Sequence, residues 1–161
     1  MSAKTPETTW IGIDPGTTQS GWATICPDGR VTGDIRTNED VLDRLYWLGI
    51  GLGSPSVAIE RLRGLGKAIG FETIQTIEWV GRFAEARHRG TGQMPVLLTR
   101  HEILKALGVT RGSGSADSRV RARLIAIYGE PGSKSKPGPT YGITGHAWQA
   151  LAVAHVAKMR G

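Results

Sequence analysis

The sequence has a single cysteine, Cys26, among its 161 residues. One cysteine cannot form an intramolecular disulfide, and with no second thiol nearby it is not the basis of a zinc site. The chain also has no apolar run approaching the roughly 20 residues that a membrane-spanning helix needs. The first residues, Met1 to Thr9, are polar and lack the apolar stretch of a signal peptide. We therefore expect a cytoplasmic protein with no membrane association.

Acidic residues are also in the minority, because 20 Lys and Arg oppose 14 Asp and Glu and give a formal net charge of +6. A positive protein favours a polyanionic partner, since contacts to phosphates release counterions. Charge alone does not identify that partner, because many basic proteins bind no nucleic acid. The length suits one domain over 1–161. We predict a flexible N-terminus over 1–8 and a flexible basic loop over 130–142, which is rich in Pro, Gly, Ser and Lys.

Hydrophobic periodicity predicts an α/β domain. Three short apolar runs near the start are separated by turn signals, among them Asp28-Gly29, which favours a hairpin and antiparallel strands. Further on, apolar residues at helical spacing alternate with two more short apolar runs. The predicted strands cover residues 9–13, 21–26, 30–37, 56–60 and 95–98, and the predicted helices cover 38–50, 71–87, 99–107, 116–128 and 143–159. This order indicates a mixed central sheet of about five strands flanked by α-helices.

Two residue types predict local features of these helices. Asn38 precedes the first helical stretch and is a candidate N-cap, because its side chain can accept a hydrogen bond from a free backbone N–H. Gly81 lies inside the long second helix, where a missing side chain would allow close packing on the sheet.

Two of the predicted strands end on an acid. Asp14 follows the first apolar run and Glu60 ends the fourth. If these strands are neighbours, the two carboxylates lie close together and repel each other unless a cation neutralises them. Oxygen ligands suit Mg²⁺ or Mn²⁺, which can support metal-assisted phosphodiester hydrolysis. The alternative is that Asp14 only shapes its turn and that Glu60 pairs with Arg61 or Arg63.

Polar residues near the C-terminus are candidates for the same site. His146 and Gln149 lie three residues apart on the last predicted helix and so share a face. His146 can ligate a metal or activate water, whereas Gln149 offers only a neutral amide. A purely structural histidine is the alternative. Asp117 can supply a further carboxylate, unless it or Ser115 simply caps the helix that follows.

Three segments resemble the RuvC Holliday junction resolvases of the RNase H-like superfamily, in order and spacing along essentially the whole chain. They are Ile11-Gly12-Ile13-Asp14-Pro15-Gly16 with Gly21-Trp22-Ala23, then Val57-Ala58-Ile59-Glu60, and finally Gly145-His146-Ala147-Trp148-Gln149-Ala150-Leu151-Ala152-Val153-Ala154. The family's opening turn supplies its first acid, its second acidic strand supplies another, and its last helix carries an acid or His and then an Asp before an Ala-Leu-Ala run.

The resemblance implies an RNase H-like fold and a metal-dependent endonuclease that cleaves four-way DNA junctions as a homodimer. It implies that Asp14, Glu60 and His146 are catalytic and bind Mg²⁺, with Mn²⁺ as a substitute, while Gln149 or Asp117 are further candidate ligands. The chain departs from the family at Gln149, where an aspartate is usual, and this leaves two carboxylates. The layout looks closer to short bacteriophage members than to the bacterial housekeeping enzymes, which implies a bacterial or phage-infected cell.

Basic residues follow the second acid and recur later in the chain. In RuvC-like enzymes the loop after the second acid enters the junction, where cations hold the DNA backbone and apolar side chains can wedge between bases. The alternative is a solvated loop with no ligand. The candidate DNA-binding residues are Arg61, Arg63, Lys67, Arg111, Arg119, Lys134 and Lys136.

Two other functions remain open. The run from Gly12 to Thr18 is also similar to the phosphate-binding opening of sugar kinases and related ATPases, although those proteins use two such domains and this chain has one. The other open function is a junction-binding protein without catalysis. Gln149 favours it, because the family usually has an aspartate at this position and its loss would remove the fourth acidic position of the site.

Overall fold

The structure is a computed structural model that describes residues 8–50, 53–64 and 66–161, and these residues form five strands and five helices. The strands are β1 (Trp10–Asp14), β2 (Gln19–Ile25), β3 (Val31–Thr37), β4 (Ser56–Arg61) and β5 (Val96–Thr99). The helices are α1 (Asn38–Trp47), α2 (Phe71–Thr91), α3 (Arg100–Leu107), α4 (Ala116–Tyr128) and α5 (His146–Arg160). The α/β prediction is confirmed, with shifts of a few residues at helix ends.

The five strands form one mixed sheet in the order β3-β2-β1-β4-β5. β1, β2 and β3 are antiparallel neighbours, as the hairpin signals indicate, whereas β1, β4 and β5 are parallel. In the β1–β4 pair, Ile13 lies opposite Ile59. The next residues, Asp14 and Glu60, therefore leave the sheet side by side at the same edge.

The core lies on both faces of the sheet because alternate strand residues point to opposite sides. Ile11, Ile13, Val57 and Ile59 pack with α1 and α2 on one face. The other face carries α3, α4 and α5, and Ala58 belongs to its core. By the same alternation, Asp14 and Glu60 lie on the face that carries α5.

Two glycines let α5 approach the sheet at backbone distance. A Cβ atom added at Gly12 would lie 2.0 Å from the Ala150 carbonyl oxygen, and one added at Gly21 would lie 2.3 Å from the His146 carbonyl oxygen. Any side chain at these positions would push the helix away. Since Gly21 pairs with Asp14 across β1 and β2, this contact brings the first residue of α5 next to the first acid.

The prediction that Asn38 caps α1 is wrong, because Thr37 is the N-cap and accepts a hydrogen bond from the Asp40 N–H at 3.2 Å. Asn38 is fully buried instead. Its Oδ1 accepts from Ser20 Oγ at 2.6 Å and its Nδ2 donates to the Gly16 carbonyl at 3.0 Å. Asn38 thus ties the turn after Asp14 to β2, which is a use of the amide that local sequence does not reveal.

The expected role of Gly81 is also wrong. This glycine is exposed on α2, and a Cβ atom added there meets nothing within 4 Å. The buried stripe of α2 runs through Thr76, Val80, Phe83 and Arg87, so helical periodicity turns position 81 towards solvent.

The segment 130–142, predicted to be a flexible loop, is irregular but has hydrogen bonds of its own. The Ser133 N–H donates to the Lys136 carbonyl at 3.0 Å, and the Gly138 N–H donates to the Pro131 carbonyl at 2.8 Å. Thr140 is buried and donates from Oγ1 to the Gly129 carbonyl at 2.8 Å. Apart from residue 8, the predicted flexible N-terminus lies outside the described residues. No helix in the described part of the chain has the length and apolarity to cross a membrane.

We expect Gly12→Ala to lower the free energy of unfolding by about 1–3 kcal/mol, because the added methyl group overlaps the α5 backbone. Gly81→Ala is the matched control, since it adds the same methyl group to an open helical position and should raise stability by roughly 0.5–1 kcal/mol. Urea denaturation followed by tryptophan fluorescence measures both. Equal effects of the two substitutions would contradict the close approach of α5.

Candidate active site

Two carboxyl groups meet at the edge of the sheet where β1 and β4 end. Burial raises the pKa of Asp14, although the hydrogen bond from His146 opposes that shift. Burial, and then the negative charge of Asp14, raise the pKa of Glu60 to about 7. The prediction that neighbouring strands bring the two acids together agrees with this register and with the electrostatic coupling between the acids.

His146 lies directly against the first acid. Its Nδ1 is 2.8 Å from Asp14 Oδ2, while 76% of the His146 side chain is exposed. An ionised carboxylate can only accept, so Nδ1 is the donor when Asp14 is charged. In a neutral imidazole this leaves Nε2 as an acceptor that faces solvent. Asp14 therefore sets the tautomer of His146.

Arg100 is the residue of this site that sequence analysis missed. It begins α3, whose start is held by a capping box between Thr99 and Glu102. Arg100 Nη1 donates to Gln149 Oε1, and Nη2 donates to Asp117 Oδ1. Nη1 also lies 3.9 Å from Glu60 Oε2, and the positive charge of Arg100 partly opposes the rise in the pKa of both Asp14 and Glu60 that burial causes.

The strand order could have indicated that Arg100 lies at this site. β5 is parallel to β4, with Thr99 opposite Arg61. The residue after β5 therefore reaches the same edge as Glu60, as a third strand end. Sequence analysis missed Arg100 because an arginine at the start of a helix does not by residue type alone indicate an active-site residue.

Gln149 and Asp117 are both partners of Arg100. Gln149 is buried on α5, three residues after His146, as the helical spacing predicts. Asp117 lies in the first turn of α4, but Ser115 caps that helix and accepts from the Ser118 N–H at 3.1 Å. Three helices begin near the acids, and their N-termini favour a negatively charged ligand.

The described residues contain no group of three or more His, Cys, Asp and Glu side chains arranged to hold a metal ion. The predicted ligand set of Asp14, Glu60 and His146 therefore stays a prediction, and His146 Nδ1 is hydrogen-bonded to Asp14 Oδ2. Two carboxylates still fit one divalent cation. Within the described part of the chain, Glu60 Oε2 is a buried carboxylate oxygen without a hydrogen-bond partner. Such an atom is costly unless a cation compensates it.

Two of the predicted DNA-binding residues lie beside the acids. Arg61 ends β4 and Arg63 follows it, and both are exposed. Neither pairs with Glu60, whose nearest cation is Arg100. Lys67 is exposed further along the same loop. Arg61 and Arg63 line a cavity of about 440 Å³ together with Leu62, Thr99, Arg100, His101 and Leu104. A cationic surface therefore adjoins the acidic edge.

The other predicted DNA-binding residues have different surroundings. Arg119 donates from Nη1 to the Gly114 carbonyl at 2.6 Å and to the Gly112 carbonyl at 3.2 Å, so it holds the loop before α4. Arg111 is exposed on that loop. Lys134 and Lys136 follow the C-terminal end of α4. Both lysines are exposed on the segment that joins α4 to α5.

The C-terminal end of α4 contacts α5 far from His146. Tyr128 Oη lies 2.7 Å from His155 Nδ1. His155 follows His146 by nine residues on α5, a rise of about 14 Å along the helix.

The architecture is that of an RNase H-like α/β domain, and comparison with solved structures shows the same. The chain has the fold of Thermus thermophilus RuvC, with a TM-score of 0.65, 18% identity and coverage of 94% of this chain and 95% of that one. T. thermophilus RuvC in complex with Holliday junction substrate gives a TM-score of 0.60 at 21% identity, covering 95% and 94%. No sequence-family profile matches the chain, and no curated protein does.

The raised pKa of Glu60 predicts that the metal-free protein loses stability as the pH rises. The unfolded carboxyl group releases its proton near 4.5 and the folded one near 7, so the folded state binds more protons between these values. Stability should therefore fall across this window, by at most roughly 2–3 kcal/mol. Urea denaturation in EDTA at pH 5 and pH 8 measures the fall.

Glu60→Gln is the control for this window, because an amide does not titrate and should flatten the fall. The comparison also removes the contribution of His155, whose pKa burial lowers and which acts in the opposite direction at acidic pH. Identical pH profiles for wild type and Glu60→Gln would show that Glu60 is not the group responsible.

Proposed function

We propose that this chain is a metal-dependent endonuclease that cleaves branched DNA, and that four-way junctions are its substrate. The observation that carries the proposal is the pair of carboxylates at adjacent strand ends, with Glu60 buried and Asp14 mostly buried, next to an exposed cationic loop. The RuvC fold supports it, since one structure with that fold holds a Holliday junction substrate. The chain would act as a single domain in the cytoplasm of a bacterial or phage-infected cell.

Asp14 and Glu60 would hold one Mg²⁺, or Mn²⁺ in its place. When bound, such an ion polarises the scissile phosphate and favours ionisation of the attacking water. His146 can accept the proton of that water at Nε2, because its Nδ1 donates to Asp14. Asp14 thus orients the imidazole as well as binding the ion.

The exposed loop after β4 would bind the DNA. Arg61, Arg63 and Lys67 are exposed cations that can contact backbone phosphates near the acids. Leu62 is 40% exposed on the same loop and could insert between unstacked bases. Leu65, the other leucine of this loop, lies outside the described residues.

We also propose that the protein is a homodimer, because two symmetric active sites match the two-fold symmetry of a four-way junction. The exposed apolar side of α2 is a suitable interface. It presents Phe71, Ile74 and Ile77 at helical spacing, 73%, 42% and 41% exposed. An exposed apolar patch on one side of a helix is a feature of protein association surfaces.

A junction-binding protein without catalysis is the second candidate. It is favoured by Gln149, whose amide oxygen is used by Arg100 and adds no carboxylate to the site. This candidate keeps the cationic loop and the fold but predicts binding without strand cleavage.

We expect paired, symmetric nicks in a labelled four-way junction incubated with the protein in Mg²⁺ or Mn²⁺, and none in a linear duplex of the same sequence. Asp14→Asn should reduce the cleavage rate by at least about 10²-fold, because it removes one of the two charged ligands while preserving the side-chain shape. Gel electrophoresis of end-labelled strands reports both results. Tight binding with no nicks in either metal would favour the non-catalytic candidate, and absence of binding would reject both.

Arg61→Ala with Arg63→Ala should weaken junction binding and reduce the slope of log affinity against log salt by about 1–2, since each lost phosphate contact removes about 0.7–0.9. Arg30→Ala is the matched control. Arg30 is exposed at the opposite end of the sheet, where it pairs with Asp28, and its loss should leave the slope unchanged. Fluorescence anisotropy in Ca²⁺ from 50 to 300 mM salt measures the slopes. Equal slopes for all three proteins would exclude the loop from the interface.

A further inference from the structure

The Arg100 guanidinium lies in the middle of the candidate site. It donates to Gln149 from one nitrogen and to Asp117 from the other, and the nitrogen that binds Gln149 lies 3.9 Å from Glu60. These three partners come from α5, α4 and β4, while Arg100 itself begins α3. Four separate elements therefore converge on one positive charge.

This positive charge is permanent, because a guanidinium stays protonated in proteins. The oxygen of Gln149 points to Arg100, so it is not available as a metal ligand. A divalent ion placed between Glu60, Gln149 and Asp117 would have to displace the guanidinium or lie in contact with a like charge. Either arrangement is unfavourable at the short distances involved.

We propose that Arg100 permanently fills the position between Glu60, Gln149 and Asp117, the second cation position of the site, where another divalent ion would otherwise fit. The chain then binds one divalent ion, at Asp14 and Glu60, and uses Arg100 to bind the scissile phosphate. The phosphate-binding role of Arg100 rests on the proposed nuclease function. The number of divalent ions that the chain binds does not depend on that function.

Arg100 retains the donors that phosphate binding requires. A guanidinium has five N–H groups, and Gln149 and Asp117 each accept one hydrogen bond from it. Its side chain is 31% exposed, and it lines the same cavity as Arg61 and Arg63. A phosphate held by that cationic loop would therefore lie within reach of the planar, two-pronged donor that suits phosphate oxygens.

The identity of Gln149 is consistent with this role. A neutral amide oxygen orients the guanidinium without cancelling its charge. A carboxylate at this position would form a buried ion pair with Arg100 and reduce the positive field at Glu60 and at a bound phosphate. Glutamine thus holds the arginine in place and leaves its charge available.

The first test counts Mn²⁺ ions by isothermal titration calorimetry without DNA, so it needs no cleavage. We expect one ion per chain for wild type and one for Gln149→Asp, in which Arg100 pairs with the new carboxylate. The double variant Arg100→Ala with Gln149→Asp should bind two Mn²⁺ ions. It removes the positive charge of Arg100 and adds a carboxylate that can bind the second ion. Two ions or none in the wild type, two in Gln149→Asp, or one in the double variant would overturn the proposal.

The second test separates binding from cleavage on the four-way junction. Arg100→Ala should lower kcat by about 10²–10³-fold, as loss of a preorganised donor does, with less than about a threefold change in junction affinity in Ca²⁺. Arg30→Ala should change neither. Circular dichroism confirms that each variant is folded, and an unchanged kcat in folded Arg100→Ala would overturn the phosphate role. If wild type cleaves no DNA, the nuclease function and the phosphate role fail together, whereas the Mn²⁺ count still decides whether Arg100 holds the second cation position.

Discussion

The backbone contact of α5 with β1 and β2 is the constraint on which the candidate site depends. Gly12 and Gly21 leave no side chain between the strands and the helix, so the helix axis is held at a distance that any Cβ atom would prevent. The N-terminal turn of α5 then lies beside Asp14, and Gln149 lies one turn further on. Tight packing here therefore positions the candidate site as well as stabilising the fold, because a small shift of α5 would separate His146 from Asp14.

The second constraint is electrostatic. Asp14 and Glu60 lie at adjacent strand ends, one mostly buried and the other buried, and burial without compensation favours the protonated form of each. The chain partly compensates the charge with Arg100, which reaches Glu60 only at 3.9 Å and makes its direct contacts with Gln149 and Asp117. The negative charge that Arg100 leaves uncompensated at Glu60 is the basis for the divalent cation that we propose at this site.

Much of the fold and part of the site followed from pattern. The strands were recognisable because short apolar runs alternate with turn residues, and the acids at two strand ends indicated a shared edge. The predictions for Asn38 and Gly81 were wrong. From sequence alone, a buried asparagine cannot be distinguished from an N-cap, and an exposed helical glycine cannot be distinguished from one at a packing contact. Arg100 was missed because its significance comes from partners that lie 17, 40 and 49 positions away, at Asp117, Glu60 and Gln149.

The sequence by itself determined the succession of strands and helices, the excess of positive charge, and the placement of Asp14 and Glu60 at strand ends, since these depend on residues that are neighbours in the chain. Only the tertiary structure decided which groups touch. His146 Nδ1 is hydrogen-bonded to Asp14 Oδ2, and the amide oxygen of Gln149 accepts a hydrogen bond from Arg100. The physical reason is that hydrogen bonds and charge compensation depend on distances of a few ångströms between elements, and these distances arise from how α3, α4 and α5 pack on the sheet.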